Sequence, residues 1–145
     1  MACHHQTQQA QSASEAAPSV RPTASAALPA VPAGASVFFK NLKDGQVVQN
    51  PIHVEMGVVG MQVDSAGLVR EGSGHHHLLI DDGDSIPSGQ VIPKDSTHLH
   101  FGNAQTETDL QLSPGKHKLT LQFADGMHRS YGRQMAATIT IEVKK

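Results

Sequence analysis

One cysteine, no tryptophan and a single tyrosine are present in 145 residues. A lone cysteine excludes an internal disulfide, so the fold rests on burial and hydrogen bonding. Aromatic residues make up 3% of the chain. The core must therefore come from Val, Ile, Leu, Met and a few Phe. No apolar run approaches the roughly 20 residues that a membrane-spanning helix needs. Positive charge is not in excess either: 11 Lys and Arg stand against 13 Asp and Glu, for a net charge of -2. That is no footprint for nucleic acid. Catalytic signatures are missing as well. There is no Gly-x-Ser-x-Gly elbow, and Cys3 lies in a tail that cannot preorganise a nucleophile. The acidic run Asp81-Asp82-Gly83-Asp84 lacks the spaced ligands and terminal Glu of a calcium loop, and reads as a solvated turn. No enzymatic reaction is indicated.

Residues 4–35 also have little that is large and apolar. They are rich in Ala, Ser, Gln and Pro. Such a segment cannot offset its ordering entropy and is expected to be a disordered linker. Cys3 follows Ala and looks like the end of a bacterial lipoprotein signal. A lipid there would anchor the chain, and the linker would let the domain stand about 30 Å off the membrane. The expected division is thus a signal-derived N-terminus and linker over 1–35, then one folded domain over 36–145.

Within that domain the apolar pattern has period two, the mark of half-buried strands. Strands are predicted at 36–42, 52–58, 75–80, 98–101, 106–112, 116–123 and 137–143. Turn signals lie between them, at Lys43-Asp44-Gly45-Gln46 and Ser113-Pro114-Gly115 among others. Residues 62–74 read as a Gly-rich loop and 83–97 as a long connection. About seven short strands and no helix predict an all-β immunoglobulin-like β-sandwich, with a jelly roll or small barrel as the rival. Leu119, Leu121, Phe123, Ile139 and Ile141 are the expected core.

Histidine is the abundant residue: 10 of 145. His4 and His5 lie in the tail and the other eight in the domain. Residues two apart on a strand share a face, so His75 pairs with His77 and His98 with His100. If those strands are neighbours, four imidazoles converge, and His128 sits on a loop able to close over them. Such a set suits Cu(II), Zn(II) or Ni(II), and Met127 would add a thioether that favours copper. The predicted metal ligands are His77, His100 and His128, with His75, His98 and Met127 as auxiliaries. Because a ligating imidazole must be neutral, affinity is expected to fall between about pH 7.5 and about pH 5. His76 shares the face of Leu78 and Ile80 and reads as a core residue. His117 shares the parity of Leu119 and reads as structural, and His53 as exposed.

The segments VFFKNLKDGQVVQNPIHVEMGVVGM, GHHHLLID, HLHFGNAQTETDL, LSPGKHKLTLQFADGMHRSYG and ATITIEV resemble the exported bacterial domain-of-unknown-function family 4399. The resemblance implies an exported or lipid-anchored protein of immunoglobulin-like fold, and no reaction. It maps the family's polar signature onto His76, His77, His100, Gln105, Thr106, Glu107, His117, Asp125, His128 and Tyr131. Where the family often has a second glycine before Gln105, this chain has Ala104. The expected function is a periplasmic, non-enzymatic module that binds copper first and zinc second, with an envelope protein as a further partner. The alternatives are an envelope structural or interaction module whose histidines staple its loops, and a small-molecule binding domain.

Overall fold

Alternation becomes strand where the sequence predicts it. In the computed structural model, residues 27–145 are described. Cys3, His4, His5 and most of the expected linker lie outside the described residues. Nine strands form: β1 (Ser36–Phe39), β2 (Gln46–Val48), β3 (Ile52–Val59), β4 (Gln62–Val63), β5 (Ser73–Ile80), β6 (His98–His100), β7 (Glu107–Leu110), β8 (Gly115–Ala124) and β9 (Ala136–Val143). A single 3-10 turn, Arg133–Met135, precedes β9, and there is no α-helix among the described residues. The two strands beyond the expected seven are β2 and β4, three and two residues long. They lie in segments whose glycines and polar residues read as turn and loop.

The strands form two sheets, one ordered β1-β3-β7 and one ordered β2-β9-β8-β5-β4, with β6 paired to β5. β1 packs against β8 and β9 across the sandwich. The core between the sheets is aliphatic, as the scarcity of aromatics requires. Ile52, Val54 and Met56 of β3 face Leu78, Leu119, Leu121, Phe123, Ile141 and Val143. Ile139 is only partly buried but packs against the same cluster. The packing starts upstream of Ser36: Ala35 is buried, and Leu28 and Val31 rest against the core. Three apolar side chains in an Ala- and Pro-rich stretch are enough to cover one edge of it.

β5 is the exception to half-burial. Every residue from Ser73 to Leu79 is buried. Its inner face, His76 and Leu78, lies in the sandwich, and His76 meets Phe123 edge to face at 5.0 Å. Its outer face, His75, His77 and Leu79, is buried too, because the 81–97 connection folds back over the sheet. That cover also lies on β8. Thr120 and Gln122, which alternate with the core residues Leu119, Leu121 and Phe123, are 1% and 0% exposed. Gln122 accepts from the Ile86 backbone N–H and donates to the carbonyls of Gly132 and Met135. Thr120 donates to the Gly83 carbonyl. A buried amide with its partners supplied is well tolerated, and no pattern in β8 itself announces the cover.

Gly74 sits where a side chain cannot. A Cβ there would strike the Ala124 carbonyl and the Phe123 ring.

Candidate metal centre

The register of three strands builds the site. His77 lies opposite His100 across the β5–β6 ladder. His75 lies two residues along β5, on the same face and opposite Ala124 of β8. The loop after β8 then brings His128 over the pair. This loop is locked by Asp125, which is 0% exposed. Its carboxylate accepts from the Met127 and Arg129 backbone N–H groups and from the Arg129 side chain, with Nη2 at 2.6 Å. The Asp125 carbonyl accepts from the His128 N–H. That closed turn holds His128 at φ 65, a left-handed conformation uncommon for residues other than glycine. On the other side Ile92 donates to the His128 carbonyl at 2.9 Å.

The four rings form one cluster. The Nε2 of His75 lies 3.0 Å from His77 Nε2 and 3.2 Å from His128 Nδ1. Ring centroids are 5.0 Å apart for His75 and His100, 5.1 Å for His77 and His100, and 4.6 Å for His100 and His128. One nitrogen from each of His75, His77, His100 and His128 lies within 4.8 Å of the others. Four nitrogens about 2.0–2.1 Å from one ion stand roughly 3.3 Å apart in a tetrahedron. The two shorter contacts are already near that spacing, and the rest are within about an ångström and a half of it. This group can hold a metal ion. His75 Nδ1, His77 Nδ1, His100 Nε2 and both ring nitrogens of the core residue His76 lack a hydrogen-bond partner among the described residues, so the convergence of the four rings, not this pattern, marks the site.

Burial favours the neutral form of His75, His77 and His100. Desolvation, helped by the charges of His100 and His128, lowers His75 to about 4. Desolvation with the neighbouring His75, His100 and His128 lowers His77 to about 2. His100 is lowered by burial, then by His128 and Lys94. Proton competition therefore sets in at lower pH than unperturbed histidines suggest. For His75, His77 and His100 this pulls against the window of about pH 7.5 to 5 expected from the sequence.

His98 and Met127 do not join the cluster. His98 shares the face of His100 but pairs with Leu79, two residues further along the ladder. There its Nε2 meets Asp82 at 2.9 Å and its Nδ1 meets Asp95 at 2.8 Å. Met127 projects to solvent at 55% exposure. His117 is half-buried: its Nδ1 donates to Asp81 at 2.7 Å and its Nε2 to the Ser113 carbonyl at 2.8 Å. Burial pulls its pKa down, but the two bonds outweigh it and the net shift is upward. His53 is exposed beside Glu55, Glu107 and Asp109. Its Nδ1 bond to Asp109 raises its pKa.

The other signature positions are supports. The Tyr131 hydroxyl donates to the Ser73 carbonyl at 2.7 Å and fixes the start of β5; burial raises its pKa to about 12. Gln105 accepts from the Asn103 N–H. Ala104 adopts φ 60, which accounts for a glycine at that position in the family pattern. Gly102 has no room for a Cβ, which would meet the His100 ring.

A cavity of about 230 Å³ opens onto the cluster, lined by His77, His100, His128, Ile92 and Lys94. The last two were not foreseen. They come from the Pro-rich connection, which has no periodicity to place a side chain.

Searches of curated proteins and of solved structures return no match. The model of the domain-of-unknown-function family DUF4399 matches residues 54–144, a span that takes in every strand contributing to the cluster. Over most of its length, then, with the histidine-bearing strands and the Asp125 turn included, this chain belongs to the DUF4399 family.

Proposed function

We propose that this domain is a non-enzymatic metal-binding module of the bacterial envelope, with His75, His77, His100 and His128 as ligands. The convergence of four imidazole nitrogens within 4.8 Å, two on buried and two on partly buried rings, with no carboxylate bonded to them among the described residues, carries this reading. The metal is copper first and zinc second. The reason is the all-nitrogen donor set and the general order of divalent affinities, not sulfur, since Met127 faces solvent. Three ligands come from paired strands or their immediate ends, so the site is formed before the ion arrives. A preformed set suits buffering, delivery or sensing of metal. Export and a lipid at Cys3 are part of the same proposal, drawn from the family resemblance and from the sequence around Cys3.

The test is calorimetric titration of Cu(II) and Zn(II) at pH 7.5 into the full chain carrying His4→Ala and His5→Ala, which removes the tail pair. The expected result is one saturable equivalent, lost in a His77→Ala/His100→Ala variant. No saturable uptake, or the same uptake by the double variant, would return these histidines to a stapling role.

A further inference from the structure

The metal reading leaves a charge unanswered. Four neutral imidazoles leave a dipositive ion with its full charge. The carboxylates on this part of the sheet are already engaged: both Asp125 oxygens accept from Arg129 or the backbone, and Asp82 and Asp95 hold His98. The one charged side chain that lines the cavity is Lys94, and it adds a further positive charge. Among the described residues Lys94 makes no ion pair with a carboxylate.

The shape agrees with the charge. His77, His100 and His128 line the cavity, whereas His75 is 0% exposed and lies behind them. Ile92 is buried and forms an apolar wall. Copper(II) takes a further ligand beyond four nitrogens, and the side of the cluster not backed by His75 faces about 230 Å³ of space lined in part by Lys94. We infer that this cavity binds a small anion, with one donor atom on the metal and a second atom hydrogen-bonded to Lys94. The class is small carboxylates and comparable anions such as azide. The inference rests on the metal-centre reading above. An anion bridging the ion and Lys94 would neutralise part of the site's charge, and its exchange would tune how tightly the ion is held. A dipositive ion in a partly desolvated pocket attracts an anion more strongly than it would in water.

The test uses the full chain carrying His4→Ala and His5→Ala, loaded with one equivalent of Cu(II) that elemental analysis verifies. Azide is titrated at pH 7.5 and constant ionic strength, and its charge-transfer absorption is followed. Saturable binding is expected, with formate as a competitor. Lys94→Gln should weaken azide roughly five- to tenfold, the scale of one lost charge-assisted hydrogen bond at an exposed rim. Copper stoichiometry should be unchanged, and Lys94→Arg should recover most of the affinity. Copper loading without azide binding, or equal azide affinity in wild type and Lys94→Gln, would overturn the anion site and leave the metal centre standing. Failure to load copper would sink the metal centre and the anion site together.

Discussion

Among the described residues, His75, His77, His100 and His128 have no carboxylate within ion-pair distance, whereas His98 and His117 are each bonded to at least one. Both sets lie on β5, β6, β8 or the loop that follows β8, a few residues apart in the same sheet. The difference comes from the flanking turns. The turn after β5 supplies Asp81 to His117 and Asp82 to His98, and the connection before β6 supplies Asp95. Among the described residues no acidic side chain bonds to the other four, and Asp125 acts on His75 only through its field. One set is thus committed to holding turns, and the other keeps its lone pairs for something else. The neighbouring turn, not the histidine or its strand parity, decides which role a ring takes.

The largest effect that separates the two sets is acid sensitivity of the metal-free domain. His75, His76 and His77 are buried bases with folded-state pKa values lowered to about 4, 4 and 2. The unfolded chain takes up their protons first, near 6.5. Stability is therefore full above 6.5 and falls as pH drops through that value toward the folded pKa values. The slope is on the order of 1.4 kcal/mol per pH unit for each ring. Denaturant melts between pH 7.5 and 4.5 should lose several kcal/mol. A flat profile over that range would show that the rings are not buried neutral.

Next in size is the effect of metal. Copper at a hundredfold excess over its dissociation constant should stabilise the domain by about 2.7 kcal/mol. A chelator should remove that gain, and His77→Ala should abolish it. If His117→Ala abolished it equally, the division between the two sets would fail.

His117→Ala should cost about 1 kcal/mol with or without metal, through its bonds to Asp81 and Ser113. Its pH dependence runs opposite to that of the buried rings. The folded pKa is raised, so its contribution is full below 6.5 and fades as pH rises through the folded value. Melts of the variant and wild type at pH 6 and pH 8.5 should show the larger difference at pH 6. A smaller gain, about 0.5–1 kcal/mol, is expected from Ala104→Gly, which relieves a left-handed backbone beyond the end of β6. The smallest effect belongs to His53→Ala. Its ring is exposed beside three carboxylates, so the melting temperature should not move in either metal condition.

Strand parity made much of this legible. It put His75 with His77 and His76 in the core, and it proposed His100 as their neighbour. It could not separate His98 from His100, because two residues on one face look alike until the turns beside them are placed. It kept Met127 beside His128 as an auxiliary ligand from the same loop. The hydrogen bonds of Asp125 turn one inward and leave the other in solvent. The cover over Thr120 and Gln122, and with it Ile92 and Lys94, was invisible for a further reason. A long connection satisfies its backbone through scattered side chains such as Gln122 and Ser130, and that leaves no period to read.

Gly74 has a consequence for how faithfully β5 can be read. Three consecutive histidines make the strand nearly self-similar under a shift of one residue, and such a shift would exchange its two faces. The shifted strand would still offer a histidine at each face, but His75 and His77 would enter the sandwich and His76 alone would remain outside. Hydrophobic burial discriminates weakly here, since Leu78 and Leu79 would simply trade places. Only the glycine breaks the ambiguity: one residue either way, Ser73 or His75 would bring a Cβ against the Ala124 carbonyl and the Phe123 ring. The missing side chain acts as a reading-frame mark for the triplet that follows it.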